Sequence, residues 1–67
     1  MTLNESQLKT TLGMYLSQMS NGNHQGVFIV VSRAYRRLLN DYQFTYPELI
    51  KEYSGKFEGL RIKKGEN

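Results

Sequence analysis

Apolar residues recur along the chain in three blocks. In the first, Leu8, Leu12, Tyr15, Leu16 and Met19 fall three and four residues apart, the spacing of one helix face. The block is preceded by two overlapping capping signals, Thr2-x-x-Glu5 and Asn4-x-x-Gln7, in which a short polar side chain and one three residues later exchange hydrogen bonds with the free backbone amides. A helix over about 4–19 is predicted, ended by Ser20-Asn21-Gly22-Asn23, where Asn21 or Gly22 can take a left-handed cap. Gly13 sits inside this helix at a cost of about 1 kcal/mol relative to alanine, and close approach of a neighbouring helix is the expected reason.

The second block, Val27 to Tyr42, is the densest in apolar residues and also the most basic. Phe28, Val31, Tyr35, Leu38 and Tyr42 hold one helical phase, with Val27, Ala34 and Leu39 beside them, while Ser32, Arg33, Arg36, Arg37, Asn40 and Asp41 fall on the opposite face. This predicts a helix over about 26–42. Ile29 and Val30 lie off the apolar stripe yet are themselves apolar. A second reading exists for Val27–Val31: five apolar residues, mostly β-branched, suit a short buried strand with a helix capped at Ser32.

In the third block Thr45-Tyr46-Pro47-Glu48 has the form of a helix start. Thr45 is placed as cap, Glu48 reaches back, proline occupies the first turn, and Phe44 is placed to pack on Leu49 as a hydrophobic staple. Tyr46, Leu49, Ile50 and Tyr53 predict a helix over about 46–54, with Ser54-Gly55 as its stop. Residues 56–67 read as a tail in which Phe57, Leu60 and Ile62 pin the end of the chain to the core. The alternation of Leu60 and Ile62 with Arg61 and Lys63 is strand-like.

The expected fold is therefore all-α, a compact three-helix domain with a short C-terminal extension. The alternative is an α+β domain whose small sheet pairs 27–31 with 60–63. Phe44 belongs to the expected core of the three-helix domain.

Length sharpens the picture. A chain of 67 residues forms one small domain at most and buries a modest share of its surface. With no cysteine and one histidine, neither a disulfide nor a cysteine-based zinc site can brace it. Association with a partner, or with a second copy, is the remaining aid, and Ile29 and Val30 are the residues expected to serve it. No signal-like segment opens the sequence and no apolar run approaches a membrane span, so a cytoplasmic, non-membrane protein is expected.

Charge adds a direction. The formal net charge is +3, and residues 1–25 contribute none of it, because Lys9 and Glu5 cancel. All the excess follows Gly26, which points to an anionic partner. Arg33, Arg36 and Arg37 share a helix face, and the planar guanidinium fork matches phosphate geometry. Lys63 and Lys64 offer a second contact near the end of the chain.

Catalytic chemistry finds no constellation. The carboxylates are scattered, the glycines are too far apart for a phosphate-binding loop, and His24 has no nucleophile or paired acid beside it in sequence, so it reads as a solvated loop residue. No catalytic residue, metal site or cofactor is assigned. A helix-turn-helix is also disfavoured, because the basic helix would be the first of the pair and the second carries only Lys51 as a cation. A membrane-surface helix is disfavoured because Tyr35 and Leu38 belong to the core stripe. Two functions remain: a non-enzymatic regulatory protein contacting a DNA or RNA backbone through Arg33, Arg36, Arg37, Lys63 and Lys64, or a protein-binding inhibitor or adaptor working through Ile29 and Val30, as a homodimer or on another protein.

Overall fold

The computed structural model describes residues 2–21 and 25–63. Three helices make up the architecture: α1 (Glu5–Asn21), α2 (Gln25–Tyr42) and α3 (Pro47–Lys63). Each packs on the other two, α1 and α2 most extensively, in a body 31 × 20 × 15 Å. Among the described residues there is no strand.

Of the two capping signals before α1, the second forms. The Asn4 amide donates to Gln7 Oε1 at 3.0 Å and the Gln7 amide donates to Asn4 Oδ1 at 2.8 Å, while the Leu8 amide reaches the Asn4 carbonyl at 2.9 Å. Two donors that would otherwise lack helix partners are satisfied reciprocally. Leu3 then stands just outside the cap, packs against the core, and has its backbone held at both ends. Its amide donates to Tyr42 Oη (2.8 Å) and its carbonyl accepts from Tyr46 Oη (3.3 Å). The two tyrosine rings lie nearly parallel with centroids 6.1 Å apart. One pair of half-buried tyrosines thus ties the entry of α1 to the α2–α3 turn.

Residues 27–31 and 60–63 are both helical, so the two-stranded alternative is excluded. The strand reading weighed local β preference, which costs a helix only a few tenths of a kcal/mol per β-branched residue. Continuing α2 lets Phe28 and Val31 share the phase of the buried Tyr35, which is worth more.

The third helix is longer than its sequence signals suggest. It starts at Pro47, as expected of a proline at the first helical position, but it runs through Gly55 to Lys63 where a stop and a tail were expected. Ending at Gly55 would leave Phe57 in water. The extension carries two interior glycines, Gly55 and Gly59, at about 1 kcal/mol each, a cost offset by burying the Phe57 ring to 3% exposure, worth about 2–3 kcal/mol, and by packing Leu60 against the core. Gly13 is a second correction: a Cβ placed there would meet nothing within 4 Å, so no helix approaches it closely.

Phe44 is a third. It is 90% exposed and no part of the core. The cap of α3 is Tyr46, whose carbonyl accepts the Ile50 amide at 3.0 Å, and no hydrogen bond from Thr45 Oγ1 or the Glu48 carboxylate closes a capping box among the described residues. The cap therefore lies one residue later than Thr45. Thr45, not Phe44, takes the position from which a staple could reach back.

The core comprises Leu8, Leu12 and Met19 from α1, Tyr35 from α2, and Leu49, Ile50, Tyr53 and Phe57 from α3. Tyr35 is fully buried and donates its hydroxyl to the Tyr53 carbonyl at 2.6 Å. Its ring lies 5.1 Å from that of Phe57, tilted by 30°. Burial, aided by the neighbouring Tyr53, pushes the Tyr35 phenol well above the ordinary tyrosine range. No helix of the described residues is long and apolar enough to cross a membrane.

Candidate functional site

With its apolar stripe turned inward, α2 carries Arg33, Arg36 and Arg37 outward, and all three are exposed. Arg37 Nε lies 3.9 Å from Asp41 Oδ2 one turn on, with the arginine side chain 85% exposed. A pair this exposed is worth less than about 1 kcal/mol, so a phosphate can compete for the guanidinium. Arg36 leans the other way. Its Cζ stands 5.3 Å from the centroid of the Phe57 ring, within reach of a cation–π contact.

Phe57 is where α3 enters the site. Arg61 also places its guanidinium over this ring, at 5.8 Å, and its Nη1 bonds Glu58 Oε1 at 2.9 Å. One buried aromatic is thus contacted by arginines from two different helices. Arg61 was missed in the sequence because the alternation from Leu60 to Lys63 suggested a strand or tail. The signal that finds it is the helical phase of Tyr53, Phe57 and Leu60, which puts Arg61 four residues past Phe57. Lys63 ends α3 and is exposed. Lys64 and His24 lie outside the described residues.

Ser32 does not join the arginines. It is 8% exposed, and its hydroxyl donates to the Ile29 carbonyl at 2.9 Å. Asn40 is committed to the end of α2, where its side-chain oxygen and its carbonyl accept from Gln43 Nε2 at 3.1 and 3.2 Å.

Ile29 and Val30 are 45% and 67% exposed, with Val27 beside them at 43%. The outward side of α2 is therefore apolar in its first turns and basic further on. A shallow open groove elsewhere, between the first turns of α1 and α3, is lined by Glu5, Lys9, Glu48, Leu49, Lys51 and Glu52, of mixed sign. Among the described residues no three histidine, cysteine or acidic side chains are grouped to hold a metal ion.

No protein-family model matches this chain, and no curated protein or solved structure is significantly similar to it.

Proposed function

We propose that this chain is a small, non-enzymatic cytoplasmic regulatory protein that grips the phosphate backbone of nucleic acid with the arginine face of α2, extended by Arg61 and Lys63 from α3. The observation that carries the reading is the pair of guanidiniums over Phe57, at 5.3 and 5.8 Å, which joins the end of the third helix to the basic face of the second. The net charge of +3, concentrated after the first helix, supports it. Arginine suits the role because each planar fork can take two oxygens of one phosphate.

The test is binding to duplex DNA and single-stranded RNA across a salt series. Five cations on phosphates predict a log–log salt slope of about −4.5 on B-form duplex and about −3.5 on a single strand. Arg33→Ala and Arg37→Ala are each expected to weaken binding and flatten the slope by about one, with helical content unchanged. Binding that ignores salt, or that survives Ala at positions 33, 36 and 37 together, would end this reading.

The exposed Ile29 and Val30 favour a second reading, a protein-binding module, with a second copy as its partner where mass rises with concentration. Ile29→Asp and Val30→Asp are expected to abolish association while keeping the fold, since Val30 is two-thirds and Ile29 nearly half in water. Light scattering on the same samples measures this, and association that persists in both variants counts against it.

A further inference from the structure

Phe44 is the aromatic side chain that the fold leaves in water. Of the three phenylalanines, Phe57 is buried and Phe28 is half-buried, whereas Phe44 is 90% exposed. Its backbone is nonetheless well held. The Tyr42 carbonyl accepts both the Thr45 amide (3.2 Å) and the Tyr46 amide (3.0 Å), so the turn that carries Phe44 closes on the last residue of α2. The rings of Tyr42 and Tyr46 stack on each other and bond both backbone groups of Leu3, anchoring the same turn to the start of α1. With the turn braced, only the side chain of Phe44 is left to order when something stacks on it.

What would stack there follows from its neighbourhood along the chain. The turn continues directly from α2: Arg37 lies five residues, about 7.5 Å of helix rise, before the helix ends at Tyr42, and Phe44 follows two residues later. The single acid between them, Asp41, is paired with Arg37. An exposed aromatic at the end of a row of arginines matches the two needs of an unpaired nucleic-acid strand, cations for its phosphates and a flat apolar surface for a base. A duplex keeps its bases stacked on one another and has none to offer the ring.

We infer that Phe44 is a base-stacking platform and that the nucleic acid this protein takes is single-stranded, its backbone running along Arg33, Arg36 and Arg37 toward the α2–α3 turn. This rests on the arginine reading above and narrows it to one class of ligand.

The full chain, titrated with a single-stranded oligonucleotide and with the same sequence as duplex, tests it. Phe44→Ala is expected to weaken single-strand binding about 5- to 100-fold and to leave duplex binding and both salt slopes unchanged. The chain has no tryptophan, so Phe44→Trp supplies a lone fluorophore, expected to be quenched by the single strand and not by the duplex. Because the ring is already in water, neither variant should disturb the fold. Single-strand affinity unchanged in Phe44→Ala, while Arg33→Ala and Arg37→Ala still weaken it, would overturn the platform and leave the arginine face standing. Equal losses on single strand and duplex would also overturn it. Failure of the unaltered protein to bind either form at low salt would remove both readings.

Discussion

Phe57→Ala is expected to destabilise the protein by about 3–5 kcal/mol, enough to leave much of it unfolded at room temperature. A chain of this length has only about 3–10 kcal/mol of stability in total. The ring is 3% exposed and stands 5.1 Å from the Tyr35 ring, so its removal opens a cavity at the meeting of α2 and α3. It would also take away the surface on which Arg36 and Arg61 rest. The end of α3 should suffer most, because burial of this ring is what carries the helix past Gly55. Urea unfolding followed by far-UV circular dichroism would measure the loss. A cost below about 1 kcal/mol would show that Phe57 is not the joint described here.

The second large effect is a loss of stability in alkali that belongs to Tyr35. Folding raises this phenol above the ordinary tyrosine pKa of about 10, so the unfolded chain gives up the proton first. The contribution is complete below pH 10. Above it, only the unfolded state gains by ionising, and stability falls by about 1.4 kcal/mol per pH unit until the folded protein also loses the proton. Lysines and the other tyrosines titrate in the same range, so the readout is a difference between two proteins. Tyr35→Phe is expected to cost about 1 kcal/mol at neutral pH, where it removes the 2.6 Å bond to the Tyr53 carbonyl. That carbonyl keeps its bond within α3, so the penalty stays small. Between pH 10 and 12 the variant should lose about 2–3 kcal/mol less than the unaltered protein and overtake it. Parallel pH profiles for the two would show that Tyr35 ionises freely in the folded state.

Both effects arise in the seam between α2 and α3, which the linear pattern left open. Local signals located the helices well where neighbours in sequence suffice. The Asn4–Gln7 box, Pro47 in the first turn of α3, and the stripe from Phe28 to Tyr42 each act within one or two turns, and each is realised. The outward positions of Arg33, Arg36, Arg37, Ile29 and Val30 follow from that stripe, since a helix that buries Tyr35 must turn its opposite side to water. Local signals failed where two of them competed. Ser54-Gly55 reads as a stop, and β-branched residues at 27–31 read as a strand, because propensity is weighed without knowing what the next side chain can bury.

What the sequence alone determined is the number of helices, their buried stripes and the basic face of the second, because helical periodicity is set by backbone geometry and visible in one dimension. Only the tertiary structure decided how far α3 runs, that Ser32 turns inward while Phe44 stays in water, and that Arg36 and Arg61 meet on the same Phe57 ring. Those outcomes depend on burial against residues far away in the chain, and burying Phe57 with Leu60 packed against the core outweighs the two interior glycines of α3.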